Sequence, residues 1–248
     1  MTGKFYGPDQ ARIHHERFGD LATEAARLVV ERLHAAGHDT GFVTDLGCGS
    51  GILSAQLLAA GYLVEGVDLS PAMVELARET APQGSFRVGS VHDALIAPSV
   101  AVTAIGEVLQ YATDARTGLD ALESLAARVY AALEPGGILV FDLSTPGRNL
   151  GLDVRHVFHD HGTWMLGMHA TEGPDWYERR IVILIEEEDG RYRRVDESHR
   201  LVLFPVPDVV ASLERAGFSV EIRPSYTEVT ASTPAAGWAA FVATKPAA

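Results

Sequence analysis

The stretch that decides the fold is Val43-Thr44-Asp45-Leu46-Gly47-Cys48-Gly49-Ser50-Gly51. A short apolar run ends in three glycines at alternate positions, and residues 52–60 (ILSAQLLAA) then have the pattern of a buried helix. A glycine-rich turn between a strand and a helix lets a ligand touch backbone that a side chain would block. It also presents the N-terminal amides of the helix to an anionic group. The stretch therefore predicts a strand–loop–helix unit that binds a nucleotide-like ligand.

The spacing of these glycines separates two classes of cofactor. A dinucleotide fingerprint is G-x-G-x-x-G, which counted from Gly47 would need a glycine where the chain has Ile52. The chain has G-x-G-x-G instead. Asp68 ends the next apolar run, where a carboxylate is placed to accept the ribose hydroxyls of an adenosine. Asp68 suits either class of cofactor, but the glycine spacing disfavours a nicotinamide or flavin enzyme.

Strand and helix patterns alternate along most of the chain, which predicts a parallel sheet with right-handed crossovers. The first forty residues have a helical pattern, with Gly37 as a stop, and Ser70-Pro71 marks a helix start. The further predicted elements are strands at 62–67, 85–91, 100–105, 137–143, 219–223 and 238–243, and helices at 119–133 and 208–216.

Residues 151–204 break this alternation and predict an antiparallel insertion. A strand at 181–185 is followed by the hairpin turn Asp189-Gly190 and a returning strand. A two-residue turn would place Glu188 opposite Arg191 and Glu186 opposite Arg193, so we expect a charged hairpin surface there.

Composition excludes several classes of protein. The 33 acidic and 20 basic residues give a formal net charge of −13, which disfavours binding to nucleic acid or to an anionic membrane. The single cysteine, Cys48, excludes a disulfide framework and a cysteine-based zinc site. We find neither a signal-peptide pattern nor an apolar run of about 18–20 residues, so we expect a cytoplasmic protein.

Three blocks of the sequence, DLGCGSG, VDLSPAMVELAR and LEPGGILVFD, resemble the signatures of class I S-adenosylmethionine (SAM)-dependent methyltransferases. The resemblance covers residues 41–147 and, through Ala216-Gly217-Phe218 and the last strand, most of the remainder. It implies an α/β fold with a Rossmann-like, doubly wound, mostly parallel seven-stranded sheet, N-terminal helices and an antiparallel β cap. The SAM-binding core would be residues 1–147 and 205–248, and the cap residues 148–204.

The resemblance also implies which residues hold SAM and its product S-adenosylhomocysteine. The glycine-rich loop would hold the methionine end, Asp68 the ribose, and Leu69 and Met73 the adenine. Ser90 stands where the family often has an acid that contacts the adenine edge, and Asp93 is an alternative for that contact. The predicted cofactor-binding residues are Asp45, Gly47, Cys48, Gly49, Gly51, Asp68, Leu69, Met73, Ser90, Val91 and Gly106.

Candidate catalytic residues come from the need for a base when the methyl acceptor carries a proton. They are His14, His15, Glu107 and His199, and for each a solvated surface position is the competing interpretation. Strand alternation places Glu197, His199 and Leu201 on one face of the insertion. A further group, His156, His159 and His161, fits neither a helix face nor a strand face, so we predict a polar loop there and no metal site.

The insertion resembles the cap of small-molecule N-methyltransferases, namely amino-sugar N,N-dimethyltransferases and glycine N-methyltransferase-like enzymes. This similarity implies an acceptor pocket lined by Tyr6, Tyr111, Trp164 and His199, in which aromatic walls suit an amine or any planar substrate. The acidic balance leaves room for a neutral or cationic small acceptor. We therefore expect methyl transfer to nitrogen or oxygen of a small molecule, with a homodimer compatible with this interpretation. A non-catalytic SAM-binding regulator and a nicotinamide oxidoreductase are the alternatives.

Overall fold

The computed structural model describes residues 5–149, 154–228 and 237–247. Residues 1–4, 229–236 and 248 of the predicted core, and 150–153 of the predicted cap, lie outside the described residues. The helices are α1 Pro8–Arg17, α2 Asp20–Ala35, α3 Ile52–Ala59, α4 Pro71–Thr80, α5 Leu119–Ala132 and α6 Val206–Ala216. The strands are β1 Phe42–Leu46, β2 Leu63–Asp68, β3 Ser85–Val88, β4 Ser99–Ala104, β5 Leu133–Ser144, β6 Val154–Asp160, β7 Trp164–Glu172, β8 Trp176–Glu186, β9 Tyr192–Val202, β10 Ser219–Arg223 and β11 Trp238–Thr244. Within the described ranges, no helix is long and apolar enough to cross a membrane.

Seven strands form the main sheet, in the order β10-β11-β5-β4-β1-β2-β3. All neighbours are parallel except β11, which runs antiparallel to both β10 and β5. The chain moves outward from β1 to β2 and β3, and then returns to the other side of β1 as β4. Ligands of doubly wound sheets bind beyond the carboxyl ends of the strands at such a reversal. This fold confirms the predicted seven-stranded, mostly parallel sheet.

Apolar residues alternate along the strands, so both faces of this sheet are buried against helices. In β1, Val43 faces a cluster that includes the apolar residues of α2 and α3, whereas Leu46 faces one that includes those of α5 and α6. The α4 helix begins where Ser70-Pro71 predicts, because the Ser70 hydroxyl accepts a hydrogen bond from the Met73 N–H at 3.2 Å. The helices that cover the two faces of the sheet leave the carboxyl ends of β1 and β4 open to a ligand.

The insertion is a second sheet, β6-β7-β8-β9, with every neighbouring pair antiparallel. We call this sheet the cap. Its apolar face covers α1, where Ile13 belongs to one buried cluster with Trp164 and Ile183. The Gln110 side chain joins cap and core, because its Nε2 donates to the carbonyls of both Ser144 and Val202 at 2.8 Å.

The hairpin register differs by one residue from the prediction. The loop holds three residues rather than two, because Gly190 adopts φ +76° and its N–H donates to the Glu187 carbonyl. Glu186 therefore lies opposite Tyr192, and Arg193 lies opposite Ile185. The predicted pairs Glu186–Arg193 and Glu188–Arg191 are wrong, although the surface is charged as expected.

The predicted polar loop at His156–His161 is also wrong in part. His156 and His159 belong to β6, and only His161 lies in the turn that follows. The segment forms a strand because β7 pairs with it and supplies cross-strand hydrogen bonds. The sequence pattern alone does not show this pairing.

Trp164 gives a test of how the cap is held on α1. It is 3% exposed, whereas Phe158 on the neighbouring strand is 66% exposed. We expect Trp164→Ala to lower the free energy of unfolding by about 3–5 kcal/mol through the cavity that it creates. The matched substitution Phe158→Ala should change it by less than about 0.5 kcal/mol. Urea unfolding of both variants measures this, and equal losses would contradict the assignment of Trp164 to the buried cluster.

Candidate active site

A cavity lies beyond the carboxyl ends of β1, β2 and β4. Its walls come from the loops that follow these strands, from α4 and from the N-terminal segment. Eight of the eleven predicted cofactor residues line it: Gly47, Gly49, Asp68, Leu69, Met73, Ser90, Val91 and Gly106. The topology therefore brings together residues that are separated by up to about sixty positions in the sequence.

Three predicted cofactor residues do not line this cavity. Asp45 is buried, and its carboxylate accepts hydrogen bonds from Ser54 at 2.6 Å and Thr103 at 2.8 Å. Burial raises the pKa of Asp45 to about 6, against the effect of these two hydroxyl donors. Through these two bonds Asp45 links the end of β1, which leads into the glycine-rich loop, to α3 and β4. Cys48 packs into an apolar cluster, and a Cβ on Gly51 would lie 2.9 Å from the Ala77 Cα.

The end of the cavity near Ser90 contains a carboxylate that the sequence does not predict. Asp93 points to solvent and forms two hydrogen bonds with Arg116, so it does not replace the missing acid. Asp114 lines the cavity instead and accepts a hydrogen bond from the Ser90 hydroxyl at 2.6 Å. No local signal marks Asp114, because it lies in an irregular segment after the 3₁₀ helix Val108–Gln110.

A second cavity opens between the core and the cap. It shares Tyr6, His14, Gly106 and Tyr111 with the first cavity, so the two meet at the carboxyl end of β4. Its other lining residues are Arg17, Phe18, Asp20, Leu21, Glu107, Arg148, Arg179 and Trp238. The predicted acceptor residues Tyr6 and Tyr111 lie here, whereas Trp164 lies in the cluster between the cap and α1 and lines neither cavity.

Glu107 is the buried anion of the second cavity. Its carboxylate contacts Arg179 at 2.8 Å and Arg148 at 3.1 Å, and accepts a hydrogen bond from the Ser144 hydroxyl at 2.5 Å. Burial opposes the charge, but the two arginines outweigh it and lower the pKa of Glu107. These three partners engage both oxygens of the Glu107 carboxylate, so the predicted role of Glu107 as a base finds no support in its contacts.

The sequence pattern around Arg179 contains a signal for a functional residue that the predictions above do not include. Tyr177, Arg179, Ile181 and Ile183 alternate along β8, and the three neighbours of Arg179 in this series are buried. A cation on the apolar face of a strand indicates a buried partner or a ligand. Arg148 carries no such signal, because it lies in a turn after β5.

The predicted histidines occupy three different environments. His14 lines both cavities, and its Nδ1 is buried without a hydrogen-bond partner among the described residues. His15 lies within 2.9 Å of the Ser50 hydroxyl and so joins α1 to the glycine-rich loop. His199 lies on the same buried face as Glu197 and Leu201, as the alternation predicts, but it lines neither cavity.

His199 supports the N-terminal segment rather than facing the cavities. Its Nε2 donates to Glu197 at 3.0 Å, because an ionised carboxylate can only accept. Glu197 in turn accepts from the backbone N–H groups of Tyr6 at 2.9 Å and Gly7 at 2.8 Å. The His199 ring lies against Tyr6, with ring centroids 4.7 Å apart. Through these contacts the cap holds Tyr6 over the junction of the two cavities.

Comparisons with known proteins agree with this geometry. Residues 43–137 match the family described as Methyltransferase domain. The chain is 27% identical over 231 residues to the dTDP-4-amino-2,3,4,6-tetradeoxy-D-glucose N,N-dimethyltransferase of Saccharopolyspora spinosa, covering 90% of each chain. It is 38% identical over 136 residues to the trans-aconitate 2-methyltransferase of Paracidovorax citrulli, covering 52% of this chain and 48% of that one.

Among solved structures, a SAM-dependent methyltransferase from Clostridium acetobutylicum superposes with a TM-score of 0.81 at 15% identity, covering 96% of this chain and 98% of that one. The chain is an S-adenosylmethionine-dependent methyltransferase. It resembles the amino-sugar N-methyltransferases, as the sequence of its core and cap predicted. The alternative interpretations as an oxidoreductase or a non-catalytic binding protein are therefore set aside.

The first cavity of the methyltransferase fits its cofactor. A Cβ on Gly49 would point into open space, with nothing within 4 Å, so this glycine exposes its backbone to the cavity. Each oxygen of Asp68 accepts one backbone N–H, from Gly49 at 3.0 Å and from Ser70 at 2.8 Å. A carboxylate offers about four acceptor positions, so Asp68 keeps acceptor capacity for the ribose hydroxyls that it is predicted to bind.

Asp68→Asn tests the ribose contact. The amide keeps the shape but removes the charge and one acceptor oxygen, and hydrogen bonds to a charged group contribute about 1.5–3 kcal/mol. We expect the affinity of the methyltransferase for SAM to fall by roughly 10- to 100-fold, as measured by calorimetric titration. The control is Asp93→Asn, which alters a carboxylate outside the cavity and should leave the affinity unchanged. Unaltered affinity in Asp68→Asn would contradict the assignment.

Proposed function

We propose that the methyltransferase transfers the methyl group of SAM to a nitrogen or oxygen atom of a small molecule held in the second cavity. The meeting of the two cavities at Tyr6, His14, Gly106 and Tyr111 supports this proposal most directly. SAM, when bound, supplies a methyl group on a positively charged sulfur that is ready for in-line attack. The chain has to hold the acceptor close to that methyl group and to keep water out.

Enclosure favours a small acceptor over a macromolecule. The N-terminal segment closes one side of the junction, since the Tyr6 carbonyl accepts from the Ser70 hydroxyl at 2.7 Å while the Tyr6 N–H bonds to the cap. The Tyr6 and Tyr111 hydroxyls lie 3.3 Å apart across the same space. The similarity to the N,N-dimethyltransferase of Saccharopolyspora spinosa, which acts on a nucleotide-linked amino sugar by its name, also favours a small molecule.

His14 is the best candidate for the base when the acceptor atom carries a proton. Burial, together with the positive charge of Arg179, lowers the pKa of His14 to about 4. The imidazole is therefore neutral at physiological pH, and its ring can accept a proton as the acceptor atom becomes more acidic during attack. His15 and His199 are engaged elsewhere, and Glu107 is neutralised by its arginines. We assign His199 a positioning role, through Glu197 and the N-terminal segment.

An acceptor screen tests the proposed function. Amines, amino sugars and hydroxylated metabolites would be incubated with SAM and the protein, and release of S-adenosylhomocysteine would be measured. We expect turnover with a subset of these compounds and methylation at nitrogen or oxygen, which mass spectrometry identifies. Transfer only to protein or nucleic acid would contradict the proposal.

His14→Gln tests the base with an acceptor found in that screen. General-base catalysis typically contributes about 10²–10⁴-fold, so we expect kcat to fall within that range while the affinity for SAM is kept. In the unmodified enzyme, protonation of His14 inactivates the base, so kcat should be level above about pH 5 and fall as the pH approaches the pKa of about 4. The variant should lack this acid limb.

The control is His34→Gln, on an exposed position of α2. It should retain both the rate and the pH profile of the unmodified enzyme. A wild-type kcat in His14→Gln would show that proximity alone carries the reaction and that His14 is not the base.

A further inference from the structure

The second cavity carries a local charge opposite to that of the whole protein. Three guanidinium groups line it, from Arg17, Arg148 and Arg179, against two carboxylates, from Asp20 and Glu107. The described lining residues therefore sum to a formal charge of +1, in a chain whose net charge is −13. A cavity that concentrates cations in an acidic protein indicates a ligand of negative charge.

The arginines of the second cavity keep hydrogen-bond donors that no described residue engages. The Nε of Arg179 is buried and has no partner among the described residues. Arg148 reaches Glu107 through Nη2 alone, and Arg17 makes no ion pair within the described chain. Burying an unpartnered donor on a charged group is costly, so the Arg179 Nε calls for an acceptor that a ligand would bring. Arg148 and Arg17 are more exposed and present further donors beside it.

Glu107 cannot supply that acceptor. Its carboxylate already pairs with Arg179 and Arg148 and accepts a hydrogen bond from the Ser144 hydroxyl. The Tyr111 hydroxyl, 3.3 Å from Arg179, is a neutral partner and leaves the excess charge in place. The pairing of a guanidinium with a carboxylate or phosphate is short and charge-assisted, and Arg presents its donors in a planar fork that matches such groups.

We propose that the methyl acceptor carries an oxyanion, a carboxylate or a phosphate, which Arg148 and Arg179 bind in the second cavity while Arg17 adds positive charge to the same cavity. This inference rests on the proposed function, because it assigns to this cavity the molecule that is methylated. The oxyanion occupies the arginine end of the cavity, and the atom to be methylated points toward Gly106 and His14, where the two cavities meet. The arginines thus select the acceptor by charge and orient it for attack.

Anion binding to the protein saturated with S-adenosylhomocysteine tests this directly. The probes are malonate, as a carboxylate, and inorganic phosphate, each titrated calorimetrically at constant ionic strength set with sodium chloride. We expect saturable binding of at least one probe, and the tighter of the two identifies the type of oxyanion. Arg148→Gln should weaken that binding at least tenfold while the affinity for S-adenosylhomocysteine is kept.

Two further variants complete the design. Arg194→Gln, an exposed arginine of the cap hairpin that pairs with Asp196, is the matched control and should bind the probe as the unmodified protein does. If Arg148→Gln does not fold, Arg17→Gln removes a cavity arginine that has no ion pair to lose within the described chain, and it should weaken binding in the same direction. Absence of saturable binding of either probe, or unchanged binding in the cavity variant that folds, would overturn the inference.

Turnover separates this inference from the proposed function. Acceptors would be supplied in matched pairs, an amino acid with its amide and a sugar phosphate with the free sugar, and release of S-adenosylhomocysteine would be measured. We expect the anionic member of a pair to be favoured at least tenfold in kcat/KM, and Arg148→Gln to remove that preference. Equal methylation of both members would overturn the oxyanion alone, whereas transfer only to macromolecules would overturn the proposed function as well.

Discussion

The buried carboxylate of Glu107 holds together three parts of the chain that meet at the junction of the cavities. It follows β4, and it pairs with Arg148 after β5 and Arg179 on β8 of the cap. Glu107 itself has φ +63°, a conformation that costs a non-glycine residue energy, and Asp142 stabilises it by accepting the N–H groups of Gly106 and Glu107, each at 2.7 Å. Desolvation of these charges is expensive, so the ion pairs fix geometry more than they add stability.

The N-terminal segment closes the site by a separate set of polar contacts. Tyr6 also has a positive φ, +45°, and its backbone bonds to Glu197 of the cap through N–H and to Ser70 of the core through its carbonyl. Its hydroxyl meets Tyr111. One strained residue thus touches the core, the cap and both cavities. The positions of the first and second cavities are consequently set by the same few residues, so their alignment does not depend on loops alone.

The core could be predicted from the sequence because its signals lie within a few residues of one another. The cap could be predicted less completely because its register and packing depend on tertiary contacts. The alternate glycines, Asp68 and the Ser70 cap each act within a few residues, so local chemistry predicts this part of the first cavity. Leu69, Met73, Ser90 and Val91 are predicted only through the family resemblance. The hairpin at Asp189-Gly190 was predicted, but its register depended on whether Gly190 entered the turn or followed it. The similarity of the cap predicts Trp164 at the acceptor, but an aromatic residue suits a core as well as a pocket, and the position of α1 decides for the core.

Net charge is a weak guide to a small acceptor for a related reason. The value of −13 leaves room for a neutral or cationic acceptor, but it sums charges over the whole surface, most of which a small ligand does not contact. Electrostatic energy scales with 1/(εr), so a few charges at short range in a desolvated cavity outweigh many that are screened by water. Arg179 is 18% exposed and Arg148 29% exposed as side chains, whereas acidic residues such as Asp196 are more exposed and are paired with their own arginines. The charge that selects an acceptor is therefore the charge that lines the cavity, and here that charge is positive.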